Sequence, residues 1–154
     1  MDAAAIAQME AHRKPHSVVW HPNDDNILAT AGLDPVIKLW DWRKMDRPLV
    51  TLEGHVPVGT HCKRIHRPVF VPKNGNSDNE SYLLSGGQGS GSLSTFQIAK
   101  AHHDKSDSLA CSHLSRGELP ADCGDAGCIA VRDGLVAVSV DQGEVLLLRS
   151  NIMQ

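Results

Sequence analysis

Ile27-Leu28-Ala29-Thr30-Ala31-Gly32-Leu33-Asp34-Pro35-Val36-Ile37-Lys38-Leu39-Trp40-Asp41-Trp42-Arg43 is the stretch on which the reading of this chain turns. Two short apolar runs flank a turn at Leu33-Asp34-Pro35, and the second ends in Trp40-Asp41 with Arg43 two residues on. Apolar, β-branched runs of this length, split by turn residues, read as a β-hairpin.

Working outward, Ser17-Val18-Val19-Trp20-His21-Pro22 reads as a strand stopped by Pro22, and Asn23-Asp24-Asp25-Asn26 as a polar turn. Leu49-Val50-Thr51-Leu52 supplies a fourth strand, followed by Gly54-His55. The pattern returns at Arg67–Pro72, Tyr82–Gly87 and Leu93–Phe96, with a polar loop over Lys73–Ser81. A third copy runs through Cys128–Val131, a turn at Asp133-Gly134, Leu135–Ser139 and Val145–Leu148. Trp40, Phe96 and Leu148 take matching places, 56 and 52 residues apart. Residues 99–126 are polar and weakly patterned, which predicts a surface loop with one poor strand near Ser108–His113. Residues 1–11 are Ala-rich and predict a tail or short helix.

Composition supports many short strands: 13 Gly and 8 Pro provide turns, and with 4% aromatic residues the core must be mostly aliphatic. A net charge of −3 offers no basic field for phosphates, so nucleic acid is not an expected partner. No stretch approaches the roughly 20 apolar residues that span a bilayer, so no membrane is expected either. Cys62, Cys111, Cys123 and Cys128 form no C-x-x-C pair, and residues 1–8 do not form a signal peptide. The expected setting is the cytoplasm, the nucleus or both, with free thiols.

Four strands, their turns, the Trp-Asp ending and the following Gly-His resemble a WD repeat, one blade of a β-propeller. The resemblance implies an all-β fold: a partial WD-repeat β-propeller over residues 12–149. Its antiparallel four-stranded blades fall near 12–53, 54–114 and 127–149, the last incomplete, with a tail at 150–154. It also implies a buried structural network of His12, Thr30, Asp34 and Trp40. The second copy offers Ser85 with His55 or His61, but has Ser90 and Phe96 in place of Asp and Trp; the third has Ser139, Gln142 and Leu148. Three blades fall short of the roughly 4–8 that close a ring. The expectation is therefore the C-terminal portion of a longer propeller, or a short chain that self-associates through its open blade face.

The ending Trp40-Asp41-Trp42-Arg43, with Asp34 upstream, resembles the box by which substrate receptors of cullin–RING ubiquitin ligases dock on their adaptor. That resemblance implies partner binding by Asp34, Trp40, Asp41, Trp42 and Arg43, with the Arg43 guanidinium projecting from the rim. Pro35 and Leu33 depart from its usual turn residues. Two function classes stand: a non-catalytic protein–protein interaction scaffold, and a ligase substrate receptor. No nucleophile elbow or H-E-x-x-H motif appears, so neither an enzyme nor a cofactor is expected. Gly86-Gly87-Gln88-Gly89-Ser90-Gly91 lacks the Lys-Ser/Thr and following helix of a phosphate loop, and reads as a turn. His102, His103, Cys111, His113, Cys123 and Cys128 lack the paired spacing of a zinc site, so no metal is expected.

Overall fold

The computed structural model describes residues 8–53, 68–72, 80–87, 89, 91–100 and 109–150. Among these every regular element is a strand. In chain order they are β1 (Ser17–Trp20), β2 (Ile27–Ala31), β3 (Val36–Asp41), β4 (Val50–Glu53), β5 (Val69–Pro72), β6 (Glu80–Gly86), β7 (Ser92–Lys100), β8 (Leu109–Glu118), β9 (Ala126–Arg132), β10 (Leu135–Val140) and β11 (Val145–Arg149). They form three antiparallel sheets, ordered β1-β2-β3-β4, β5-β6-β7-β8 and β11-β10-β9. Neighbours in each sheet are neighbours in sequence, and the β9–β10 connection is a two-residue turn. At Asp133-Gly134, φ is 49° and 77°, and two successive positive values match the right-handed strand twist. The fold is all-β, a partial open propeller whose last blade has three strands.

Alternation gives each sheet two faces, and here both carry apolar side chains. On one face of the first sheet, Val19, Ala29, Leu39 and Val50 lie in a row across the four strands. Ala29 and Leu39 are fully buried, in a cluster with Phe70, Leu83, Phe96 and Ile98 of the second sheet. The opposite face of the second sheet presents Val71, Tyr82, Leu84 and Leu93 to Ile129, Val136, Val138 and Val140 of the third. Gly86 is needed there, since a Cβ would stand 2.5 Å from that of Ala126. The core is therefore two aliphatic layers, each sealed by the faces of adjoining sheets.

Two expectations change. The expected loop at 99–126 contains the end of β7 and the whole of β8, ten residues rather than a poor strand. Its polarity has a positional cause: among the described residues β8 pairs only with β7, and its side chains from Ser112 onward are exposed. Residues 8–11 are not helical, in keeping with the length an isolated helix needs. They are not a bare tail either, because Met9 and Ala11 pack on Leu28 and Trp40. Gly54-His55, His61 and Ser90 lie outside the described residues.

Phe96 is 1% exposed, and Leu114 on β8 is 43% exposed. Phe96→Ala is expected to lower the urea unfolding free energy by about 3–5 kcal/mol through lost burial and a residual cavity. Leu114→Ala should change it by about 0.5 kcal/mol or less.

Candidate interaction rim and its anchoring network

The β2–β3 hairpin brings His12, Thr30, Asp34 and Trp40 together. His12 Nδ1 is 2.8 Å from Asp34 Oδ2, and its Nε2 is 2.8 Å from Thr30 Oγ1. Trp40 Nε1 donates to the same hydroxyl at 2.8 Å. One proton arrangement satisfies all four: the indole donates to Thr30, Thr30 donates to Nε2, and Nδ1–H donates to the carboxylate. A hydroxyl, an imidazole and a carboxylate in line have the outline of a nucleophile relay. Here the His12 side chain is inaccessible and Thr30 is buried, so the hydroxyl is closed to a substrate. The chain of bonds ties residues 11–13 to the sheet, and Lys38 Nζ adds a bond to the Ala11 carbonyl at 2.5 Å. Asp34 Oδ1 is shielded from solvent without a partner among the described residues.

Past Trp40 the geometry departs from the sequence expectation. Arg43 does not extend outward but folds back on Asp41, Nε to Oδ1 at 2.9 Å and Nη2 to Oδ2 at 2.6 Å. The Arg43 backbone N–H also donates to Oδ1 at 2.9 Å. The turn places the guanidinium beside the carboxylate, where two parallel charge-assisted bonds form. These bonds hold the Asp41 carboxyl below the usual carboxylate range, against the opposing effect of burial. Trp40 and Asp41 are buried, whereas Trp42 and Arg43 are exposed; Asp34 is part-exposed in the β2–β3 turn, at the far end of the hairpin from them. The Trp42 indole donates to the Asp25 carbonyl at 3.2 Å, which holds it against the β1–β2 loop.

Four residues that sequence reading did not single out join the sheets: His21, Asp24, Lys100 and Asp125. His21 spans the first two: Nε2 lies 2.8 Å from Ser81 Oγ, and the ring sits edge-on to Phe70 at 4.9 Å. The Asn23 backbone N–H donates to its Nδ1, so the neutral ring carries its proton on Nε2. Burial pushes the His21 pKa down; Asp24 opposes this and Lys100 adds to it. Asp24 and Lys100 themselves pair at 2.9 Å across the same two sheets. Asp125 joins the second and third sheets, accepting from the backbone N–H groups of Gly89 and Gly91 at 2.5 and 3.2 Å. The glycine turn thus aims its amides at an anion, and the chain supplies that anion itself. The one available signal was position: His21 directly follows β1, Lys100 closes β7 and Asp125 directly precedes β9.

Among the described residues no group of three metal-ligating side chains converges. Cys111 lies on β8 with its thiol pushed up to about 11 by burial, while Cys128 is exposed on β9. No described helix is long and apolar enough to cross a membrane.

No family model matches the chain. It is 50% identical over 48 residues to the RbAp48-related WD40 repeat-containing protein prw1 of Schizosaccharomyces pombe, 30% of this chain and 11% of that protein. It is 42% identical over 40 residues to the ribosome assembly protein rrb1 of the same yeast, 25% of this chain and 8% of that protein. It is 30% identical over 118 residues to the GATOR2 complex protein MIOS of Dictyostelium discoideum, 75% of this chain and 10% of that protein. The chain thus spans about a tenth of the length of these relatives. The local matches support the WD-repeat family.

The His21 bond makes stability depend on pH with a defined sign. A histidine whose folded pKa lies below its unfolded value near 6.5 contributes stability that is complete above that value and lost as pH falls. The stability gap between wild type and His21→Gln, measured by urea unfolding, is expected to narrow from pH 8 to pH 5.5. A gap that widens on acidification would contradict the neutral-ring assignment.

Proposed function

We propose that this chain is a non-catalytic protein–protein interaction scaffold of the cytoplasm or nucleus. One observation carries the reading. The polar groups that could do chemistry are buried and bonded to one another, whereas large apolar side chains stand bare on the surface. Trp20, Trp42, Leu135, Val145 and Leu147 are all exposed. Tryptophan beside arginine at a rim is the composition of a binding hot spot. The WD-repeat relatives add weight, one of them named for its place in the GATOR2 complex.

A narrower reading is that of a ligase substrate receptor docking through Asp34, Trp40, Asp41, Trp42 and Arg43. The exposed Trp42-Arg43 pair favours it, with the Trp40 and Asp41 side chains positioning that pair from beneath. The Arg43 fold-back means that docking would have to share or open the Asp41 clamp.

A photo-crosslinker at position 42, introduced into the full chain in cells, is expected to capture discrete protein partners. The same group at exposed Ser112 on β8 should not. Equal and diffuse capture at both positions would contradict the rim. In the receptor reading the ligase adaptor is among the captured proteins, and Arg43→Ala reduces its capture at least about 10-fold.

A further inference from the structure

Among the described residues the third sheet leaves one face bare, and its register states what kind of surface belongs there. On that face Ala130, Ala137 and Leu147 lie in a row across β9, β10 and β11. The corresponding row of the first sheet is Val19, Ala29 and Leu39. Ala29 pairs with Leu39 as Ala137 pairs with Leu147, and the next paired positions are Ala31 with Ile37 and Ser139 with Val145. Leu39 and Ile37 are 0% exposed, while Leu147 and Val145 are 71% and 66% exposed. The two faces repeat one pattern, and one of them lacks its cover.

The cover is visible at the first interface. It is the row Phe70, Leu83 and Phe96 of the second sheet, whose first strand stacks on the first strand of the sheet before it. The matching row on the outer face of the first sheet is Trp20, Leu28 and Trp40. Trp20 therefore holds the position of Phe70, yet it is 55% exposed where Phe70 is 9% exposed. Met9 and Ala11 already cover Leu28 and Trp40, so the bare part of the row is its β1 end. The bare face of the third sheet contains a hollow of about 380 Å³ floored by Ala130 and Ala137 and walled by Leu135 and Leu147. One end of the chain carries an unseated aromatic knob and the other an empty apolar hollow, in the registers that meet in the interior.

We infer that the occupant is a second copy of this chain, head to tail, with Trp20 of each copy seated over Ala130 and Ala137 of the other. The two faces differ, so the contact is heterologous, and such contacts either close into rings or run on as filaments. Counting the sheets of the described residues, two copies give six, within the roughly 4–8 that close a propeller, whereas one copy gives three and three copies nine. Arg149 and Arg132, the latter paired with Asp133 at 3.4 Å, end the row next to the hollow, and Asp25 lies in the β1–β2 loop that follows Trp20.

The inference deepens the self-association expected of an open arc. A monomer would leave the position 42 crosslinking result untouched, so the two can fail separately. The test is the mass of the purified full chain by light scattering, alone and in mixtures. The wild type is expected at twice its 16.6 kDa chain mass. Trp20→Asp and Leu147→Asp should each give monomers, since either change spoils both contacts of a two-copy ring. Mixing the two variants restores one sound contact, between Trp20 of the Leu147→Asp copy and the hollow of the Trp20→Asp copy, so dimer should return. Both side chains are exposed, so the strand signature in circular dichroism should be unchanged; Trp20→Ser and Leu147→Ser replace any variant that loses it. A monomeric wild type would show that a different partner or a further segment of a longer chain covers the hollow. A Trp20→Asp dimer would show like faces pairing, and an open filament would show a contact that does not close. Each of these three results overturns the inference.

Discussion

A sheet of four short strands with apolar side chains on both faces cannot shield itself. That constraint governs this chain. At about 25 cal/mol for each Å² of apolar surface removed from water, an uncovered face forfeits much of the stabilisation its strands could supply. The response is repetition: the second sheet covers one face of the first, and the third covers the far face of the second. What repetition cannot do is cover the ends, and the bare residues Val18, Trp20, Val145 and Leu147 all belong to the first and last sheets.

Polar contacts then fix how the stack is aligned. Apolar layers are tolerant of sliding, whereas hydrogen bonds are not. His21 on Ser81, Asp24 on Lys100, and Asp125 on the Gly89 and Gly91 amides each cross from one sheet to the next. The His12–Thr30–Trp40 bonds and the Asp41–Arg43 clamp act within a sheet, at opposite ends of the first hairpin. The same short motif therefore builds a blade and finishes its rim. Trp40 and Asp41 are buried while Trp42 and Arg43 stay exposed, so one segment carries both an anchored side and a solvent-facing side.

Much of this was legible in the residues. Ile27–Arg43 gave its hairpin because alternation, the Asp34-Pro35 turn and the Trp-Asp ending agree. The third copy was readable from Asp133-Gly134, whose turn chemistry leaves little choice. The four-residue network was legible only through family resemblance, because nothing local places His12 beside Thr30. β8 was legible only as a poor strand near Ser108–His113, because an outer strand covered on one side needs no hydrophobic run. The fold-back of Arg43 was missed because spacing does not say whether a side chain meets its own neighbour or a partner. His21 and Asp125 were missed because contacts between sheets leave no periodicity in the sequence.

The central claim is that the first two sheets lie face to face through the Ala29–Leu39 and Phe70–Phe96 rows. Nuclear Overhauser contacts between the methyl groups of Ala29 and Leu39 and the rings of Phe70 and Phe96 measure this directly. Face-to-face stacking predicts a connected set of cross-peaks joining the two groups. Cross-peaks confined within each sheet, with none between them, would contradict it.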